Sequence, residues 1–157
     1  MCQITDGIKQ DVTQLGNIIL ETLQENRELK SQNLMATLEL ESSTDVVYVV
    51  DMETNIILFV NSKTKQVFGE DIVGKVCYEV FQGLSQPCDF CTNDILLKQL
   101  GKPYSWIHFN PKNQIVYLVI DVAKESNGKL LRFERAIELK ESELHSINKI
   151  IIKHHLI

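Results

Sequence analysis

Val46-Val47-Tyr48-Val49-Val50-Asp51, then Met52-Glu53-Thr54-Asn55, then Ile56-Ile57-Leu58-Phe59-Val60-Asn61 is the stretch on which the fold turns. β-Branched and aromatic residues fill both flanking runs, and the four residues between them carry turn chemistry. A β-hairpin with strands over 46–51 and 56–61 is predicted. Ser62 is the expected N-cap of a short helix over 63–68, and Gly69 closes it. Two further helical pieces are expected over 70–73 and 76–81, separated by Gly74 and ended by Gly83. A loop over 84–91 then enters a helix over 92–100, which Gly101 and Pro103 stop.

Strand patterning returns over 104–110, 114–123 and 129–137, joined by the turn signals Asn110-Pro111-Lys112-Asn113 and Asn127-Gly128. Two strands, several short helices and three strands give an α+β domain, an antiparallel sheet with its helices on one face. Such an arrangement leaves room for an apolar cavity between the layers.

Outward from this domain the period changes to that of a helix. Residues 4–40 contain no proline and repeat apolar residues at steps of three and four. In a heptad frame Ile8, Leu15, Thr22, Leu29 and Ala36 share one core position, and Val12, Ile19, Asn26, Asn33 and Leu40 the other. An asparagine in such a seam selects one parallel register, so Val12, Leu15, Ile19, Asn26, Leu29 and Asn33 are the expected dimerisation residues of a coiled coil; a lone amphipathic helix is the alternative. Gly16 is a soft point within it. From Glu138 onward Leu144, Ile147, Ile151 and His154 recur at seam spacing, with Ile150 and Ile157 beside them. Three segments follow: an N-terminal helix over 1–42, a domain over 43–138 and a C-terminal output helix over 139–157.

The chain has 157 residues, with 16 basic against 21 acidic and a formal charge of -5. That balance provides no uniformly basic face for nucleic-acid phosphates, so a nucleic-acid partner is not expected. The N-terminus lacks the charged and apolar regions of a secretion signal, and no apolar run approaches the roughly 20 residues a membrane span needs. A soluble, cytoplasmic protein is expected. There Cys2, Cys77, Cys88 and Cys91 face a reducing compartment, where metal, redox or packing roles outrank disulfides.

These residues resemble the PAS sensor domains of bacterial histidine kinases, diguanylate cyclases and phosphodiesterases. Val47-Tyr48-Val49-Val50-Asp51, Ile57-Leu58-Phe59-Val60-Asn61 with Val67-Phe68-Gly69, and Asp71-Ile72-Val73-Gly74-Lys75 are similar to the family's first strands and helices. Cys77-Tyr78-Glu79-Val80-Phe81-Gln82-Gly83 with Pro87-Cys88-Asp89-Phe90-Cys91 resembles a subgroup with a cysteine-bearing loop, often attached to cyclic-dinucleotide output domains. Arg132-Phe133-Glu134 and Ala136-Ile137-Glu138 resemble the last strand and hinge, although Glu138-Leu139-Lys140 replaces the usual Asp-Ile-Thr ending. The resemblance spans residues 45–141. It implies a five-stranded sheet in the order 2-1-5-4-3, a pocket between sheet and helices, and signalling through the flanking helices of a homodimer to an output domain or protein.

The candidate pocket residues are Phe81, Leu96, Tyr104, Trp106, His108, Tyr117, Val119 and Arg132, which combine apolar bodies with polar tips; filling the core is the competing role. Alternation places Tyr104, Trp106 and His108 on one strand face. Arg132 and Arg135, three apart, point to opposite faces, so one alone looks inward, and Glu134 shares the face of Arg132. Cys88 and Cys91 form a C-x-x-C pair to which Cys77 could add a third soft ligand, making a metal or thiol-redox protein the alternative function. Zinc or an iron–sulfur cluster lacks a clear fourth ligand, since neither Cys2 nor His108 stands at an informative spacing. Flavin is not expected, because Val76 and Tyr78 replace the asparagine and arginine that flank the reactive cysteine of the family's light sensors. Haem is not expected either, because residues 93–100 contain no histidine. His154 and His155 form a weak chelating pair at the end of the chain. No phosphate-binding glycine loop, metalloprotease helix or nucleophile elbow is present, and the surroundings of His145 do not resemble a phospho-acceptor box. A non-enzymatic sensory module is the expected function.

Overall fold

A computed structural model describes the backbone of residues 2–153 and the side chains of residues 14–147. The long helix α1 spans Cys2–Ser42, and the compact division of the chain falls between Leu40 and Glu41. Leu15, Ile19 and Leu29 on α1 are exposed within the single chain, as are Asn26 and Asn33. The side chains of Val12, Cys2, Ile8, Ile150, Ile151, His154, His155 and Ile157 lie outside those described.

Strands β1 (Val46–Asp51), β2 (Ile57–Val60), β3 (Tyr104–Asn110), β4 (Ile115–Ser126) and β5 (Lys129–Glu138) form one antiparallel sheet in the order β2-β1-β5-β4-β3. This is the architecture expected from the sequence, in the strand order that the resemblance implies. Between the strand groups lie α2 (Ser62–Phe68), a π-helical turn (Tyr78–Gln82) and α3 (Asn93–Leu97), and α4 (Glu141–Lys153) follows the sheet. Asn127 and Gly128 both have positive φ, the pairing a two-residue hairpin between twisted strands requires.

Register sets what the helices cover. Val46, Tyr48 and Val50 of β1 pair with Ala136, Glu134 and Arg132 of β5. Those three pair in turn with Val119, Asp121 and Ala123 of β4. Tyr48, Val50, Ile57, Ile72, Phe81, Val119 and Ala136 pack into the core, with Tyr48 stacked on Phe81 at 4.2 Å between ring centroids.

Several boundaries differ from the sequence expectation. The N-cap of α2 is Asn61, not Ser62: its Oδ1 accepts from the Thr64 N–H at 3.0 Å and the Val47 N–H at 3.2 Å. Its Nδ2 donates to the Asp45 carbonyl at 2.9 Å. Ser62 instead donates its hydroxyl to Glu41 Oε2. No helix forms over 70–73, and Val76 pairs with Ile56 in an isolated bridge that shortens β2. The piece expected over 76–81 is a π-helical turn displaced to Tyr78–Gln82, closed by left-handed Gly83. The helix expected over 92–100 ends at Leu97. β4 starts one residue late, because Gln114 takes positive φ in the turn.

Asn61 is fully buried and ties β1 to α2. Replacing it with alanine leaves several buried groups without partners, so Asn61→Ala should cost about 2 kcal/mol, whereas Ser62→Ala should stay within about 0.5 kcal/mol. Urea midpoints of the two variants check this.

Candidate functional site

The inner face of the sheet carries an unusual load. Directly opposed residues of β4 and β5 are both acidic, Asp121 and Glu134, and Arg132 stands two residues from Glu134 on the same face. Two carboxylates side by side repel unless a proton or a cation intervenes. Here Arg132 Nε lies 3.7 Å from Glu134 Oε2 and 4.0 Å from Asp121 Oδ1. Its Nη1 donates to Asn93 Oδ1 at 2.9 Å and to Cys91 Sγ at 3.4 Å. Asp121 is fully buried, and its Oδ2 accepts from Thr92 Oγ1 and Trp106 Nε1, each at 2.9 Å. The hydroxyl of Thr92 is therefore committed to the sheet and does not cap α3.

Two buried atoms in this group have no hydrogen-bond partner, Asp121 Oδ1 and Arg132 Nε. One is an acceptor and the other a donor, and an unmet buried pair costs free energy until something polar bridges it.

Arg132 and Glu134 open onto a cleft of about 490 Å³, counted out to its solvent mouth. Its floor includes Tyr48, Cys77, Tyr78 and Phe81, and one wall is Trp106 and His108 on β3. The loop residues Pro87, Cys88, Phe90 and Cys91 line it as well. The Phe90 ring lies 4.9 Å from His108 and 6.0 Å from Trp106 by centroid. His108 Nε2 shares a hydrogen bond with Gln82 Oε1 at 3.1 Å, and burial holds its pKa below the ordinary value, so the ring is neutral.

Burial, then the Asp121 charge, pushes the Glu134 carboxyl up to about 8 against the opposing pull of Arg132 and the Tyr48 hydroxyl. For Arg132, burial opposes the charged form, but Glu134 and the groups around it raise its pKa further, and the guanidinium stays protonated. Burial also raises the thiol pKa of Cys77, and pushes that of Cys88 up to about 11.

Of the residues expected to line a pocket, Phe81, Trp106, His108 and Arg132 meet in this cleft. Tyr117 and Val119 line a second, smaller cleft of about 280 Å³, again counted out to open solvent, that shares Tyr48, Phe81, His108 and Glu134. Leu96 and Tyr104 line neither: Leu96 is packed inside α3, and Tyr104 sits at the outer end of the edge strand. All three internal cysteines, Cys77, Cys88 and Cys91, are free and line the same cleft, which joins two features the sequence presents separately. Arg135 points the other way and pairs with Asp45. Asp121, Tyr48, Thr92 and Phe90 escape sequence reasoning, although Asp121 betrays itself as the one acid in an otherwise apolar run, Ile115-Val116-Tyr117-Leu118-Val119-Ile120-Asp121-Val122-Ala123.

Among the described residues no three His, Cys, Asp or Glu side chains are grouped so as to hold a metal ion. Nor, among those residues, is any helix long and apolar enough to cross a membrane.

No family model and no curated protein matches the chain. Solved structures do. The PAS domain of an HTR-like protein from Haloarcula marismortui aligns with a TM-score of 0.52 at 14% identity, over 74% of this chain and 98% of that one. The PAS domain of nitrogen regulation protein NR(II) from Vibrio parahaemolyticus gives 0.54 at 11% identity, over 66% of this chain and 97% of that domain. A Rhodobacter sphaeroides LOV protein gives 0.50 at 15% identity, over 71% and 69%. Identities this low speak to architecture alone, and with the strand order they establish that the chain has the PAS fold.

Proposed function

We propose that this chain is a non-enzymatic sensory module that binds a small molecule in the cleft over the inner sheet face and passes the change through α1 and α4 of a homodimer to an output domain or protein. The observation that carries the reading is an aromatic-walled cleft that ends on the buried Arg132–Glu134 pair. A ligand with an apolar or aromatic body and a hydroxyl-like group packs its body on Phe81, Phe90 and Trp106 and turns its polar end toward Arg132 and Glu134, the charged residues that line the cleft. The apolar residues left exposed along α1 support the dimer, since a stripe of that kind is stabilised by a partner helix. A bacterial cytoplasm, with its reduced thiols, suits the three free cysteines.

The metal form of the alternative reading draws no support from the described side chains. Thiol chemistry is a different matter, taken up below.

Native mass spectrometry of the full chain, purified under reductant from its host, tests the proposal. The expected spectrum is a dimer carrying a retained small molecule that is lost in Phe90→Ala, a change at an exposed loop ring that leaves the core untouched. A monomer at micromolar concentration overturns the transmission scheme. A ligand-free spectrum that also stays unchanged when the protein is incubated with a small-molecule extract of the host overturns the sensing role.

A further inference from the structure

The loop that walls the cleft carries two of its three thiols. The Cys91 N–H donates to the Cys88 carbonyl at 3.1 Å, closing a four-residue turn. A turn of that type holds its end Cα atoms within about 7 Å, the separation a disulfide spans. Both cysteines are partly exposed, and Asp89 and Phe90 between them face solvent, so a small oxidant reaches them through the mouth of the cleft. Cys91 Sγ is also 3.4 Å from the Arg132 guanidinium, the cation that balances Asp121 and Glu134.

We infer that Cys88 and Cys91 are an oxidation site, at which a peroxide converts the two thiols to a disulfide and thereby disconnects the loop from Arg132. Cys91 is the sulfur oxidised first. Its Sγ accepts a hydrogen bond from the Arg132 guanidinium at 3.4 Å on the cleft side of the loop, whereas burial and the neighbouring sulfurs hold the Cys88 thiol well above its ordinary pKa. The Cys91 thiol loses its proton and attacks one peroxide oxygen; an S–O bond forms, the O–O bond breaks, and the sulfur gives up two electrons as hydroxide leaves and takes up that proton as water. Cys88 then loses its proton and attacks that sulfur. The S–S bond forms, the S–O bond breaks, and water departs. In sum two thiols and one hydrogen peroxide give one disulfide and two waters, and a dithiol reverses the change.

The bridge removes the thiol from Arg132 Nη1, leaving Asn93 Oδ1 as its partner, and draws Phe90 with the loop. Trp106, the single tryptophan, packs on Phe90 and bonds Asp121, so it reports both movements. The chemistry is independent of any ligand, while its effect on binding rests on the sensory reading above.

The test uses the full chain, reduced and then exposed to hydrogen peroxide. The expected result is a mass loss of two hydrogens, loss of two thiols by titration, a cross-link between the Cys88 and Cys91 peptides after cleavage at Phe90, and a shift in Trp106 emission that dithiothreitol reverses. Cys88→Ser and Cys91→Ser should each abolish the link, and Cys77→Ser should keep it. A bridge mapping to Cys77 or Cys2, oxidation to sulfinic acid without a bridge, or Trp106 emission unchanged after complete bridging overturns the inference. Mass and thiol count read the disulfide with no ligand present, so failure here leaves the sensory reading standing, and a ligand-free native spectrum leaves the disulfide standing.

Discussion

Arg132→Leu should unfold this domain in markedly less urea than the parent, a loss of about 3–5 kcal/mol, because it strands two carboxyl groups that the sheet register forces together. Asp121 is fully buried and Glu134 nearly so, with 11% of its side chain exposed. Neither can move away, since each sits in the middle of a long strand paired on both sides. Native domains are stable by only about 5–15 kcal/mol, so the loss takes a large share of it. Part of the cost returns at high pH when the second charge is removed by other means: at pH 8.5, above the Glu134 pKa of about 8, Arg132→Leu with Glu134→Gln should be more stable than Arg132→Leu alone. Urea midpoints with Trp106 as the probe read both. A loss under about 1 kcal/mol for the single variant sinks the idea that Arg132 compensates buried charge, and the double variant separates charge from lost packing.

How the sequence announces this cluster is uneven, and the reasons are physical. β3 and the β4–β5 hairpin are readable because alternation and the Asn127-Gly128 turn are local signals. Arg132 is readable as the inward member of the Arg132/Arg135 pair by the same alternation, and Glu134 as its neighbour. Asp121 is not, because its significance comes from lying opposite Glu134, a pairing that depends on register between strands rather than on either strand alone. The convergence of Cys77, Cys88 and Cys91 on Arg132 is likewise tertiary: a loop, a π-helical turn and a central strand meet there. The cap of α2 fails for a smaller reason. Asn61 and Ser62 are both good caps by type, and Asn61 is selected because it also holds the Val47 N–H and the Asp45 carbonyl across the β1 entry.

Glu134 makes the stability of the domain depend on pH in a direction opposite to that of carboxylates whose pKa is lowered by an ion pair or hydrogen bonds. Its pKa is raised in the folded state, to about 8 from an ordinary value of 4.5. The folded protein therefore holds a proton that the unfolded chain has released between those two values, and stability falls as pH rises across that window, by up to about 1.4 kcal/mol per pH unit while one proton is at issue. Below about 4.5 the acid is neutral in both states and costs nothing, and above about 8 the full penalty is present. His108 works the other way, because its lowered pKa makes stability rise with pH up to the ordinary histidine range. The parent curve mixes the two, so the informative quantity is the difference between the parent and Glu134→Gln, in which His108 cancels. Near pH 5 the two proteins should be close in stability, since a protonated carboxyl and an amide present the same shape. At pH 8.5 Glu134→Gln should be more stable by several kcal/mol, with the divergence opening between those limits. Tyr48 sharpens the contrast, for its hydroxyl bonds Glu134 and is itself held protonated by burial, leaving Arg132 as the cation against which the new charge must be set. Urea denaturation across pH 5 to 8.5 measures the difference curve directly, and a flat difference would mean that Glu134 ionises as readily inside the sheet as in water.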